Sequence, residues 1–193
     1  MITAPERIET PRLILGRISP ADAGEAFDAY AADPAVTRFL SWSPAASAAE
    51  VARHFAGAEA AWDAARAFTW SVRLRADGVL AGMVEARVDA YMVNISYVIG
   101  RRFWNRGYAT EAVRALCVWA AGEPDVARIW AVCAAENPAS ARVLEKAGLT
   151  REGTLRRWAV LPNLGGTPRD CVCYARACNA GPVRVAGRVE GCA

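Results

Sequence analysis

The chain has 193 residues, 54% hydrophobic and 22% charged, with a formal net charge of +3. That length and balance predict a single soluble domain with a sizeable core, and the small charge without a Lys/Arg run argues against a nucleic-acid-binding domain. No stretch reaches the ~18 apolar residues of a membrane span, and the opening MITAPERIETPRL has charges and prolines where a signal peptide needs an apolar core; a cytoplasmic location with no membrane partner is expected.

RLILGRI, Arg12 to Ile18, alternates as a first strand after Glu9-Thr10-Pro11. Ser19-Pro20 supplies an N-cap followed by proline at the first helical position, predicting a helix to about Ala32 that Asp33-Pro34 breaks. Ser47-Ala48-Ala49-Glu50 matches a capping box and predicts a second helix to about Ala67. Thr69 to Leu74, Val79 to Val88 and Tyr91 to Ile99 read as an antiparallel meander, with Asp77-Gly78 as a turn signal. TEAVRALCVWAA, from Thr110, has apolar residues at helical spacing, and Ala127 to Ala134 is a further strand. Strand, helix and strand in that order predict a right-handed parallel crossover. A short helix over Ala139 to Ala147 ends at Gly148, and two strands, Gly153 to Val160 and Asp170 to Ala177, close the domain around the loop Pro162 to Pro168. The domain is expected to occupy 1–178, with 179–193 a poorly ordered tail that lacks a clear period.

Six cysteines occur, at 117, 133, 171, 173, 178 and 192. Cys117 and Cys133 sit in apolar periodic segments and read as core. Cys171, Cys173 and Cys178 form no CxxC pair and the one histidine, His54, is remote in sequence, so no metal site is expected and free thiols are the better reading.

One junction carries chemistry. The strand ending at Ile99 runs through Asn105-Arg106-Gly107-Tyr108-Ala109-Thr110 into a helix N-terminus. Free backbone N–H groups and the positive end of the helix dipole make such a junction an anion site, which small residues let a phosphate approach; an ordinary strand-loop-helix is the alternative.

Four pieces in order at compatible spacing, IETPRLILGRI, ISYVIGRRFWNRGYATEAVRAL, ENPASARVLEKAGLTREGTLRR and DCVCYAR, resemble the GNAT superfamily of acyl-CoA N-acyltransferases, and more narrowly its ribosomal-protein N-terminal (Rim-type) acetyltransferase branch. The resemblance covers about Ile8 to Arg176. It implies an α/β fold with a mixed, centrally splayed sheet flanked by helices on both faces. The family's phosphate loop, Gln/Arg-x-x-Gly-x-Gly/Ala, maps to Trp104 through Ala109, so Trp104 departs at the first position. The resemblance implies that amides from Asn105, Arg106, Gly107, Tyr108, Ala109 and Thr110 hold the coenzyme A pyrophosphate. It further implies that the backbone of Tyr97, Val98 and Ile99 pairs with pantetheine, and that Asn137 and Ser140 contact the coenzyme.

The activity so implied is N-acetyltransfer from acetyl-CoA, as co-substrate, to a primary amine by direct attack. The acceptor would be a protein N-terminus or a small molecule, and the protein a monomer or homodimer. The alternatives are a transferase using a longer acyl-CoA and a non-catalytic acyl-CoA-binding regulatory module. The chemistry needs a neutral amine, an oxyanion donor and an acid for the leaving thiolate. A backbone N–H around Val98 is the candidate donor. Many members carry a Tyr acid two residues before the lysine that matches Lys146; here that position is Leu144, leaving water or a hydroxyl such as Ser140 as the acid. Glu136 and Glu85 are the candidate bases. Acceptor recognition is expected from Phe39 to Ser43 with Trp42, from Tyr91, and from the loop Trp158 to Thr167; Arg156, Arg157 and Arg169 would suit an acidic acceptor.

Overall fold

The computed structural model describes residues 2–178; the expected tail, with Cys192, lies outside them. Eight strands form one sheet in the order β1-β2-β3-β4-β5-β6-β8-β7. They are β1 (Arg7–Glu9), β2 (Leu13–Arg17), β3 (Ala67–Leu74), β4 (Leu80–Asp89), β5 (Met92–Ile99), β6 (Arg128–Ala134), β7 (Thr150–Val160) and β8 (Pro168–Ala177). Every neighbouring pair is antiparallel except β5 and β6, which lie parallel as the strand-helix-strand order requires. The meander β3-β4-β5 turns at Ala90-Tyr91, where Ala90 takes a left-handed φ of 52°.

Helices cover both faces. α4 (Tyr108–Gly122) and α5 (Pro138–Ala147) pack Ala112, Val113, Leu116, Cys117, Leu144 and Ala147 against Val84, Ala86, Val93, Ile95 and Ile129. On the other face, α1 (Ala23–Ala26) and α3 (Ala48–Asp63) bring Ala23, Ala26, Val51 and Phe55 onto Leu80, Met83 and Val98. The mixed α/β architecture with helices on both faces is therefore as expected.

The differences from the sequence expectations are local. The three-residue β1 is an addition too short to show a period. The helix expected from Ser19 to Ala32 is divided into a 3-10 turn at Pro20–Asp22, the single α-turn of α1, and a wider π-type turn over Phe27–Ala31. Asp33 then caps a separate short helix, α2 (Pro34–Thr37), with Pro34 in its first turn. A full capping box forms at Ser19 and Asp22. At Ser47 only half of one forms, because the Glu50 carboxylate takes the Ala46 amide instead. α3 stops at Asp63, before Ala65 turns left-handed at φ 52°. β7 begins at Thr150, because α5 ends sharply at Gly148 (φ 98°) and Leu149 N–H folds back onto the Leu144 carbonyl.

The β1–β2 loop is pinned to α4 by one carboxylate. Glu111 accepts from the Thr10 hydroxyl at 2.7 Å, the Arg12 amide at 2.8 Å and Arg12 Nε at 2.7 Å. Arg12 in turn donates to the Arg106 carbonyl at 2.9 Å and sits over the Tyr108 ring. Burial raises the Glu111 pKa, but the Thr10 and Arg12 bonds outweigh it and hold the carboxyl below its usual range. A depressed pKa means stability that is full above the ordinary carboxylate value near ~4.3 and is lost as pH falls through the folded value. Glu111→Gln should therefore cost about 1.5–3 kcal/mol at neutral pH, the range for bonds to a charged group. The deficit should shrink as pH is lowered from about 5 to 2, measured by urea unfolding. A deficit independent of pH would show that charge at Glu111 is not what stabilises the loop.

Candidate active site

β5 and β6 are hydrogen-bonded neighbours only from Met92–Asn94 against Arg128–Trp130. Beyond that point Ile95–Ile99 have no partner on the β6 side, while β6 stays paired with β8 through Ala134. The two strands open into a wedge with a volume of about 680 Å³. Its walls are Ile95–Ile99, Val132–Ala134 and the start of α5 with Asn137 and Ser140. Trp104, Asn105 and Gly107–Thr110 line it as well, as do Val36, Arg38, Phe39 and Leu40 around α2.

Strand alternation decides which amides face this space. Tyr91 accepts from Ala127 on the β6 side, Gly100 donates to Ala81 on the β4 side, and the β4–β5 register runs without a bulge between them. Odd-numbered residues of β5 therefore direct their N–H and C=O into the wedge. Tyr97 and Ile99 present amides there, and Val98 turns its N–H to β4, which narrows the candidate donor around Val98 to its two neighbours. The Ile99 carbonyl is already held by the Trp104 indole N–H at 2.7 Å. Trp104 thus supplies a side-chain N–H donor at a position where the motif's Gln or Arg would also carry one.

The loop at the wedge's end is shaped by two left-handed residues, Asn105 at φ 60° and Gly107 at φ 79°. Gly107 caps α4 without a side-chain bond, so the first amides of a 15-residue helix have no intrahelical acceptor and open onto the wedge. Arg142 and Lys146, both exposed, line the same side. Backbone donors, the helix dipole and two cations make this end suited to an anion.

At the start of α5, Asn137 accepts from the Ser140 amide at 3.1 Å and so caps the helix. Ser140 Oγ lies 2.7 Å from the Tyr97 phenol oxygen, and the phenol also donates to the Ser140 carbonyl at 3.2 Å. Cys133 shares this wall; burial pushes its thiol up, with a hydrogen bond to Ser140 pulling the other way. Leu144, in the position of the family's Tyr acid, is fully buried in the core.

Neither candidate base is itself in the wedge lining. Glu85 is 7% exposed, on the α1–α3 face of β4, directly across from wedge-lining Ser96. The Thr69 hydroxyl donates to its Oε2 at 3.2 Å, and Arg87 Nε lies 2.5 Å from Oε1, too poorly aligned for a hydrogen bond. Glu136 is exposed, outside the wedge lining, and paired with Arg169 at 2.9 Å.

Tyr91 lies at the β4–β5 turn, the closed end where β5 and β6 still pair, away from the opening. Trp42 packs against the α1–α3 core, and its carbonyl accepts from Asn163, which also holds the Thr37 carbonyl. Arg169 links Glu136 to the Leu164 carbonyl, so this chain of bonds straps the 162–164 loop to the end of α2. Arg156 pairs with Asp170. Cys171 and Cys173 lie on β8 as free thiols with Cys178 just beyond it, and the described residues contain no His/Cys/Asp/Glu group fit for a metal. No helix among the described residues is long and apolar enough to cross a membrane.

The model of the acetyltransferase (GNAT) domain matches residues 12–150, a span that contains β2 to β6, the wedge and both of its helices. The chain belongs to the GNAT acetyltransferases. Its relatives include the uncharacterized N-acetyltransferase YoaA of Bacillus subtilis, 29% identical over 171 residues that cover 87% of this chain and 94% of YoaA. Among solved structures, the ribosomal-protein α-N-acetyltransferase RimL in complex with coenzyme A has a TM-score of 0.81 at 21% identity, covering 91% of this chain and all of RimL. The microcin self-immunity acetyltransferase MccE, in complex with acetyl-CoA and AMP, also has a TM-score of 0.81, at 19% identity, with 90% of this chain and 97% of MccE covered. At these identities the two structures bear on the fold, and the family assignment rests on the domain match.

Sequence reasoning missed the side-chain roles around this GNAT wedge. Arg12 and Glu111, which brace the loop, are a hundred residues apart and carry no local signal. For Tyr97 the resemblance points to the backbone alone; the one hint to its phenol is that a tyrosine in a buried strand needs a partner for its O–H.

Proposed function

We propose that the protein transfers an acetyl group from acetyl-CoA to a primary amine by direct attack. The observation that carries this is the junction of two features in one wedge: the unpaired odd-numbered amides of β5 and the open N-terminus of α4. The first suits the amide-bearing pantetheine arm as an added strand, and the second suits a pyrophosphate. Asn105–Thr110 hold the phosphates, with Arg142 and Lys146 beside them. Tyr97 and Ile99 supply the backbone groups along the arm, and one of their amides stabilises the oxyanion.

The acceptor enters from the α2 side, past Val36, Phe39 and Leu40. Glu85 lies on that side of the sheet and takes the amine's proton through water. An α-amine, with a pKa of ~7.7–8.0, needs less help than a lysine at ~10.4. Ser140 gives the leaving thiolate its proton. YoaA, RimL and MccE are all named acetyltransferases, which supports the reaction class.

The test is thiol release from acetyl-CoA with a panel of peptides bearing free N-termini, lysine analogues and small amines, with the product checked by mass for one added acetyl group. Turnover with at least one amine is expected. Coenzyme binding without thiol release on any amine would overturn the proposal.

A further inference from the structure

We propose that Tyr97 is a positioning residue for acyl transfer: its phenol O–H occupies one lone pair of Ser140 Oγ, which leaves the Ser140 hydrogen directed into the wedge. The inference rests on the acetyltransfer reading and on Ser140 as the acid within it.

The geometry offers the Tyr97 O–H two acceptors, Ser140 Oγ at 2.7 Å and the Ser140 carbonyl at 3.2 Å. When the phenol donates to the carbonyl, Ser140 turns its own hydrogen onto the phenol oxygen and has none for a leaving group. When the phenol donates to Oγ, the serine hydrogen is free of the phenol and can turn to a leaving thiolate, a stronger acceptor than the neutral Cys133 thiol beside it. Developing charge on the leaving sulfur favours the second arrangement, because each hydrogen bond in the chain polarises the next. Burial pushes the phenol well above its usual range, with the Ser140 bond pulling partly the other way, so Tyr97 remains an O–H donor at any working pH. The Ser140 backbone is itself fixed by the Asn137 side chain, so only the hydroxyl rotor is left to be set.

The proton count closes without Tyr97 changing its charge. As the C–N bond forms, the acceptor nitrogen loses one proton. As the C–S bond breaks, the thiolate gains one from Ser140 Oγ, which recovers its hydrogen from solvent. Tyr97 holds its proton throughout and stabilises the negative character that Oγ acquires.

The test is a double-mutant cycle of Tyr97→Phe and Ser140→Ala, read as single-turnover thiol release with acetyl-CoA and the best amine. S140A alone should slow the chemical step about 10²-fold, the low end for general-acid catalysis. Y97F should slow it about tenfold, the worth of one good hydrogen bond, with coenzyme affinity unchanged. In the S140A background, Y97F should have no further effect. Equal loss from Y97F in both backgrounds, or no loss in either, would overturn the positioning role. An unaltered rate for S140A would remove Ser140 from the chemistry and Tyr97 with it. Failure of the acetyltransfer reading looks different: the unmutated protein would then release no thiol with any amine.

Discussion

Gly107→Val is expected to abolish measurable coenzyme A binding, a loss of at least about 100-fold read by calorimetry. Two costs combine. Gly107 sits at φ 79°, where an L-residue pays about 1–2 kcal/mol and a β-branched one more. A Cβ built there also comes within 3.3 Å of the Arg12 guanidinium that braces the loop, which must give by a few tenths of an ångström. The larger cost is the left-handed backbone, which a valine relieves by moving the Asn105–Thr110 amides away from the anion they would share, and each 1.4 kcal/mol is tenfold in affinity. Gly107→Ala should show the smaller loss, about tenfold, because only the backbone and single-methyl costs remain. Thermal unfolding followed in parallel separates misfolding from lost affinity. Retained affinity in a folded G107V protein would place the phosphates elsewhere.

What was legible in the sequence follows the range over which each interaction acts. The strand-loop-helix from Tyr91 to Thr110 could be read because apolar period, Gly107 and the helix start lie within twenty residues of one another. The parallel crossover then followed from chain order alone. Boundaries failed where two local signals competed. Ser19-Pro20 and Asp33-Pro34 both start helices, and the segment between them accommodates the second by widening into a π-type turn. At Ser47 the expected box is incomplete because Glu50 reaches a different amide. The wedge itself was expected only through the family resemblance: nothing in the letters of β5 says that its pairing with β6 stops at Asn94.

The site divides in the same way. Asn105 to Thr110, whose proposed role is played by backbone, are contiguous, so the loop and helix start they form can be read from the letters. An amide around Val98 cannot be sharpened to Tyr97 or Ile99 from the letters, because alternation must be counted from a hydrogen bond such as Gly100 to Ala81, which no sequence displays. Side chains that meet across the wedge, Tyr97 with Ser140 and Trp104 with the Ile99 carbonyl, depend on three-dimensional approach. From the letters alone Glu136, in the ENPAS segment, ranks ahead of Glu85 as the base. Burial and place in the fold separate them: Glu85 is buried on β4, and Glu136 is exposed in the turn between β6 and α5.

That separation yields the second large effect. Glu85→Gln should lower kcat/KM about 10²-fold at pH 7, the low end for general-base catalysis. The amide keeps an oxygen for the Thr69 hydroxyl, and Arg87 has a side chain 62% exposed, so water replaces its lost partner and folding should change little. The pH dependence distinguishes a base from a structural group. For an α-amine acceptor the neutral fraction rises towards one above about pH 8, and the need for a base falls with it. The gap between E85Q and the unmutated enzyme should therefore narrow as pH rises past that value, whereas a misplaced acceptor would leave it constant. Glu136→Ala should stay within about threefold of full activity, since its carboxylate is engaged with Arg169 at an exposed site and carries at most a modest surface interaction. The opposite pattern, E136A impaired and E85Q intact, would mean the acceptor approaches from the β8 side of the wedge and not from α2.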